Sequence, residues 1–585
     1  MKYSFEEILN YRKNEKVVWA SDKPVAGNRT GYKVFSINTT VRNPNRNYDF
    51  LKTFEKYNGQ DNNQNMIMNY YFDLIKNGIY QSINVPQSVK TAWDNDKILT
   101  NNEVKTIIDN NPQATGIKGR VMTQLRALKD QSLLQFAETS NYGILNISIT
   151  EFGKELLKNP SKAESIYSKI MLSMHAKSPA RETIFNQSVP FLNTLFAIKS
   201  VNDKWESLGN VPKGIMNHEL AIFILSMKDC DYEYSSNLIV EYRKKFGFKI
   251  DKDFITRYMI LNDILPISWN SLLKDYPDDV FRKFALTGLV SIHGSHGKKY
   301  INFSTYNLSK VNYILSTFNN FSFHTFRSLT DYYNYQYNIN LPWETSDLIR
   351  RKIVESKAKI LKMNLDDSQS IEDNEKLLDS LFFSNSLQKA VDGISFDIII
   401  KELNILSGVV VAKSTFSDLP ESLRLEYLFA LLLGKQYGVN GVVSNLIYNE
   451  NGYPIHCAGG NKCDLSFHHK DGSYIFELTM LKSKEQILNY ETTNIVRHAK
   501  AEESKYRISH RVVMVAPRIH VDIARYFKFE IVSDEAKIIP LTIYKTGIMI
   551  KNCETVNALN RQFDLYIDDL IKEKPELFVD KVNVI

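Results

Sequence analysis

Two carboxylates, Asp464 and Glu477, are the residues of this chain best placed to do chemistry. Asp464 ends the run Gly460-Asn461-Lys462-Cys463-Asp464, and Glu477 lies inside Tyr474-Ile475-Phe476-Glu477-Leu478-Thr479. An acid in the middle of an apolar, β-prone run is unusual, because burying a carboxylate is costly unless something pairs with it. Two acids that converge at a strand end can hold a hard divalent cation such as Mg2+, which prefers oxygen ligands. Between them, Asp471-Gly472 is a two-residue hairpin signal. The segment therefore predicts a hairpin that folds Asp464 back towards Glu477. Together with the Leu478 carbonyl, the pair would hold one or two divalent cations. A cation there lowers the pKa of bound water and neutralises charge that develops in phosphoryl transfer.

Other polar groups flank this pair. Glu426 is a lone acid in the apolar helical run Leu425-Glu426-Tyr427-Leu428-Phe429. Facing inward it is a third metal ligand; facing outward it is a surface glutamate. Glu491 and the pair Arg497-His498 are separated by close to two helical turns and share one helix face. Each group has a plainer role when taken alone. Asp464 caps a turn, and Glu477 pairs with Lys482 or Lys484. The conjunction of loop acid, turn, mid-strand acid and polar helix favours the site. A zinc site from His456, Cys457, Cys463, His468 and His469 competes with it. That set lacks short Cys-x-x-Cys pairs, and adjacent strand residues His468 and His469 point to opposite faces.

The elements that position these groups read as α/β over 396–585. A helix is expected over 419–437, and strands over 441–448, 464–467, 473–479, 511–516 and 538–544. A second helix is expected from about 484 to 507. Residues 341–395 read as a helical connector, opened by Leu341-Pro342-Trp343. Its acidic run of Asp366, Asp367, Glu372, Asp373 and Glu375 is expected to form a solvated face. Residues 1–340 form a separate region, with possible subdomains at about 1–180 and 181–340. Within it, 115–138 predicts an amphipathic helix, followed by a short strand pair through Ile149 and a further helix, which is a winged-helix pattern. A second such pattern runs through 281–303, with a basic tip at His293-Gly294-Ser295-His296-Gly297-Lys298-Lys299. Two solvated β-hairpins are the plainer reading of either pattern taken alone.

The chain has 585 residues, enough for about 3–5 domains of ordinary size. Its composition, 43% hydrophobic and 24% charged, is that of a soluble globular protein. No apolar run is long enough to span a membrane, and the N-terminus lacks the pattern of a signal peptide. Four cysteines without a Cys-x-x-Cys pair in so long a chain argue against a disulfide framework and point to a reducing cytoplasm. The net charge of +7 is uneven: residues 1–350 carry +9 and residues 351–585 carry −2. A basic N-terminal part suits a polyanion such as DNA. Arg42, Arg46, Lys118, Arg120, Arg126, Lys298 and Lys299 are the candidate contacts, since arginine pairs bidentately with guanine.

The order of these segments resembles the AlwI-like family of type IIS restriction endonucleases and their nicking relatives. The likeness runs through Thr39-Thr40-Val41-Arg42-Asn43-Pro44, Phe54-Glu55-Lys56-Tyr57-Asn58-Gly59 and Ile149-Thr150-Glu151-Phe152-Gly153-Lys154. It continues through Thr287-Gly288-Leu289 and Leu341-Pro342-Trp343. Its most specific part is His456-Cys457-Ala458-Gly459-Gly460-Asn461 leading to Asp464, then Glu477-Leu478-Thr479, then Val496-Arg497-His498. The resemblance implies an α/β multidomain protein with a C-terminal PD-(D/E)xK nuclease core behind a winged-helix-like DNA-recognition region. It implies double-stranded DNA as substrate, cut a few base pairs outside a short asymmetric site. Mg2+ is the implied cofactor, with Mn2+ as a substitute. Asp464 and Glu477 would be the principal metal ligands, Glu426 the helix acid, and Glu491 and His498 supporting groups. Thr479 stands where the superfamily carries its lysine, a variation also seen in the AlwI-like group. Lys482, Glu491 or His498 would then orient the water. A bacterial cytoplasmic enzyme of this kind works beside a cognate DNA methyltransferase. With one active site per chain, it cuts both strands as a transient homodimer or with a second nuclease subunit. The alternatives are a strand-specific nicking enzyme, the large subunit of a two-subunit enzyme, and a DNA-binding regulator with a degenerate nuclease domain.

Overall fold

Hydrophobic periodicity divides the chain into a helix-rich part and a part built on one mixed sheet. The computed structural model describes all residues except 1, 12–31, 40–43, 78, 80–84, 87, 90–98, 111–116, 140–142, 182–184, 266, 295–298, 367, 413, 417–418, 420, 445, 449–451, 458–462, 482–486, 489–494, 497–502, 504–509, 535–536 and 584–585. It forms two units, Met1–His293 with Gly297–Lys376, and Gly294–His296 with Leu377–Ile585. The division falls inside the helix Ile371–Gly393, within the stretch expected to be a connector.

In the first unit the amphipathic run over 115–138 is not one helix. The helix covers Ile117–Asp130, and Leu134–Thr139 forms strand β1. Ser132 adopts a left-handed φ of 56°, and the Leu133 amide donates back to the Leu128 carbonyl at 3.0 Å, which closes the helix. Beyond that point the period changes to two, with Leu134 and Phe136 buried and Gln135 exposed. Strand β1 pairs antiparallel with β2 (Gly143–Ile149). Thr150 then caps the helix Glu151–Lys158 through the Gly153 amide. Gly153 is required by close approach, because a Cβ there would lie 2.5 Å from the Leu133 carbonyl.

The second hairpin is also present. The helix Tyr276–Ala285 precedes β4 (Val290–His293) and β5 (Tyr300–Phe303). These join β3 (Ile215–Met216) in a three-stranded sheet of order β3-β5-β4.

The acidic run over 366–375 is not uniformly a solvated face. Glu375 is largely buried and meets Lys357 at 3.2 Å, Arg350 at 3.3 Å and Lys310 at 3.6 Å. Lys310 also reaches Glu164 at 2.8 Å and lies over the Trp343 ring. Burial works to raise the Glu375 carboxyl, but Lys357, Lys310 and Arg350 outweigh it and hold it below the usual glutamate range. A carboxylate held low contributes stability that is complete above its unfolded pKa and lost as the pH falls through its folded value. Glu375→Gln is therefore expected to lose about 3 kcal/mol at pH 7 in a denaturant titration of the first unit. The gap to the parent should close as the pH drops below 4.5.

The second unit is organised by a five-stranded sheet of order β12-β11-β10-β9-β6. Its strands are β6 (Val442–Ser444), β9 (Leu465–His469), β10 (Gly472–Leu478), β11 (Arg511–Ala516) and β12 (Ile538–Thr542). Strands β10, β11 and β12 are parallel, and β9 is antiparallel to both of its neighbours. The parallel strands are buried almost throughout, as strands covered on both faces must be. The helix Glu421–Tyr437 lies against one face, with Phe429 stacked on Phe476 and Tyr437 against Phe467. The helix Val556–Lys572 brings Phe563 against Tyr474.

Two expected strands differ. The run over 441–448 splits, because β7 (Leu446–Tyr448) leaves the main sheet to pair with β8 (Pro454–Cys457). The strand expected over 538–544 ends at Thr542, whose hydroxyl accepts from the Lys545 amide and starts the helix Ile543–Asn552. Of the helix expected over 484–507, the described positions 487, 488, 495, 496 and 503 are helical.

Candidate active site

Strands β9 and β10 form the expected hairpin, with the turn one residue earlier than its sequence suggests. Gly472 already pairs with His469, so Lys470 and Asp471 make the turn. Gly472 serves packing instead: a Cβ on it would lie 2.8 Å from Asn560 Oδ1. Asn560 is itself fixed, donating to the Asp471 carbonyl at 2.8 Å and accepting from the Tyr474 hydroxyl at 2.7 Å.

The register carries the chemistry. Phe476 is opposite Leu465, so Asp464, one step before Leu465, comes level with Glu477, one step beyond Phe476. The Leu478 amide donates to Asp464 Oδ2 at 2.8 Å, which fixes that carboxylate at the strand end. Glu477 is 5% exposed on a strand flanked on both sides. The adjacent Thr479 amide donates to the Val515 carbonyl at 2.9 Å and extends the β10–β11 ladder past the site. The C-terminal ends of three parallel strands thus gather on the sheet edge that carries Asp464 and Glu477. In open sheets with parallel strands, that edge is where ligands bind. Two carboxylates level with one another are an all-oxygen donor set of the kind Mg2+ uses, with waters completing its shell.

The other expected site residues divide. Glu426 is 7% exposed on the helix Glu421–Tyr437. That helix meets the sheet on the Phe476 side, and Phe476 and Glu477, as strand neighbours, point to opposite faces. Among the described residues no three His, Cys, Asp or Glu side chains gather as a metal-holding group. Glu426 is therefore not assembled with Asp464 and Glu477 as a third ligand here, and the zinc set does not assemble among the described residues. His468 instead lies 3.2 Å from Ser466 Oγ and 3.4 Å from Ser473 Oγ, while the His469 ring stacks on Phe467. Glu491, His498 and Lys482 lie outside the described residues, as do Arg42 and Lys298.

Among the expected DNA contacts, Arg46 donates to the Ile79 carbonyl and its guanidinium lies over the Phe50 ring, so the fold itself uses it. Lys299 meets Asp278 at 2.5 Å. Arg120 and Arg126 are exposed on the helix Ile117–Asp130. Lys118 lies on that helix too, with its side chain outside the described set.

The second unit is thus a mixed α/β fold with two carboxylates level with one another at the end of its main sheet. The family model for the AlwI restriction endonuclease matches residues 137–394 and 415–546, more than half of the chain and including both carboxylates. The chain belongs to the AlwI restriction endonuclease family and is a restriction endonuclease, a DNA nuclease. No curated protein matches it. Among solved structures, it is similar to the small subunit (R.BspD6I2) of the heterodimeric restriction endonuclease R.BspD6I. That likeness has 17% identity and a TM-score of 0.27, and covers 31% of this chain and 97% of that one. No described helix is long and apolar enough to cross a membrane.

Proposed function

We propose that this protein is a Mg2+-dependent type IIS endonuclease with a PD-(D/E)xK core in its second unit. It binds a short asymmetric site in double-stranded DNA and hydrolyses phosphodiester bonds a few base pairs outside that site. The observation that carries the reading is Asp464 coming level with Glu477 at the end of a hairpin. The two helix–hairpin segments of the first unit support winged-helix-like recognition elements. The basic charge of residues 1–350 supports a polyanionic partner.

Each residue at the site has a separate task. Asp464 is oriented by the Leu478 amide, and Glu477 is held by its strand, so the two carboxylates are set before DNA arrives. Asp464 and Glu477 would hold Mg2+, which would supply charge neutralisation and make water easier to deprotonate. Thr479 offers no cation where the superfamily has lysine. Proton transfer to and from the attacking water therefore falls to Lys482, Glu491 or His498 on the following segment. Phosphate contacts from the first unit set the register on DNA, and base contacts specify the site.

Supercoiled plasmid incubated with Mg2+ tests this reading, with run-off sequencing of the ends. The expected product is a discrete set of ends at a constant offset from one asymmetric sequence, and chelation by EDTA stops the reaction. Linear product signals two chains, or a chain with a second nuclease subunit, acting on opposite strands. Open-circle product alone identifies a nicking enzyme. Ends scattered without a common sequence would remove the type IIS assignment. No cleavage of unmethylated DNA would leave a DNA-binding regulator as the better account. A protective methyltransferase is the expected partner, since a host must shield its own sites.

A further inference from the structure

A cleft in the first unit, remote in sequence from the two carboxylates, has the composition of a nucleic-acid site. It encloses about 480 Å3 between the end of the helix Ile117–Asp130, strand β1 and the segment 323–329. Lys129, Lys177 and Arg327 line it together with Phe136, Phe323 and Phe326, and no aspartate or glutamate is among its described lining residues. Lys177 and Arg327 are exposed, and Lys129 lies 5.3 Å over the Phe136 ring. Cations beside aromatic rings suit an unstacked nucleotide: cations take the phosphates and rings take the face of a base.

The aromatic wall is built rather than accidental. His175 is 1% exposed, and its ring stands edge-on to Phe326 at 5.0 Å and lies 5.3 Å from Phe323. Its Nδ1 lies 2.8 Å from the Ser173 carbonyl and so carries the hydrogen. Burial pushes its pKa down to about 4, so it backs the wall as a neutral ring at neutral pH. The helix Leu329–Tyr337 ties the segment to β1, with the Tyr333 hydroxyl donating to the Leu134 carbonyl at 3.2 Å. Ser132 donates to Gln336 at 2.7 Å within the same joint. The cleft therefore sits at the base of the first helix–hairpin segment and is held in shape by packing.

We propose that this cleft receives one nucleotide drawn out of the DNA stack at the recognition site. Lys129, Lys177 and Arg327 take the adjacent phosphates, and Phe323 and Phe326 take the base. The inference rests on the DNA-nuclease reading and adds to it a place and a mode of contact.

The test uses full-length protein with Asp464→Ala to prevent cutting, and duplexes carrying the site mapped by run-off sequencing. One position at a time is replaced by 2-aminopurine, which brightens when unstacked. Lys177→Ala and Arg327→Ala, both at exposed positions, are each expected to weaken binding about tenfold. Each should reduce the salt slope of log K by about 1. One 2-aminopurine position should brighten with the parent and stay dark with Arg327→Ala. Unchanged affinity and salt slope in both variants would remove the cleft as a DNA site. Weakened binding with no position brightening would overturn the unstacked nucleotide. If the cleavage-competent parent cuts no DNA, the nuclease reading fails first, which separates the two failures.

Discussion

Glu477→Gln is expected to leave a folded protein that binds its DNA site and cuts it at least about a thousandfold more slowly. A thousandfold corresponds to about 4 kcal/mol of transition-state stabilisation, within the several kcal/mol a catalytic cation supplies. The substitution preserves shape on a strand whose neighbours are fixed on both sides, so packing should survive. What it removes is one negative charge from the pair proposed to bind the cation. Single-turnover cleavage and duplex anisotropy separate the two steps, and the loss should fall on cleavage with binding within a few fold. Cleavage within tenfold of the parent would mean that Glu477 is a structural acid. Glu426→Gln should behave differently, with a smaller loss, because the structure does not assemble Glu426 with the pair.

The largest stability effect is expected at Arg243. Its Nε and Nη2 atoms hold Glu219 at 2.7 and 2.6 Å, with both side chains fully buried. The same guanidinium donates to the Gly214 carbonyl at 2.5 Å and lies 5.1 Å from the Phe248 ring centroid and 5.6 Å from that of Trp205. Glu219 also accepts from the Met216 amide at 2.8 Å, which ties β3 to the pair. Arg243→Ala leaves Glu219 buried without its counter-charge, and a loss of about 3–5 kcal/mol in the first unit is expected. Arg243→Met combined with Glu219→Leu removes both charges and should recover much of that loss. A denaturant titration of the three proteins checks both statements. A single substitution costing under about 1 kcal/mol would contradict them.

The carboxylate pair was legible in the sequence because an acid inside an apolar run is expensive and needs an explanation. The hairpin that joins the pair was legible too, although its turn lies at Lys470-Asp471. The glycine that suggested the turn is required by Asn560, nearly ninety positions away, and a local signal cannot carry that. The helix over 115–138 failed for a related reason. The apolar residues after Asp130 fit either period, and what decides between them is Ser132 in a left-handed conformation and pairing with β2. Glu375 looked solvated because its partners, Lys310, Arg350 and Lys357, come from other helices. The cleft of Lys129, Lys177 and Arg327 was invisible for the same reason, since tertiary packing assembles it from three separate segments.

Asp464 and Glu477 are proposed to hold the catalytic cation. Mn2+ titration followed by electron paramagnetic resonance tests it most directly, with the DNA-bound parent beside an Asp464→Asn, Glu477→Gln double variant. The parent should take up Mn2+ stoichiometrically at a concentration where the double variant leaves it free in solution, with both proteins equally bound to DNA. Equal uptake by the two proteins would place the cation elsewhere and contradict the account.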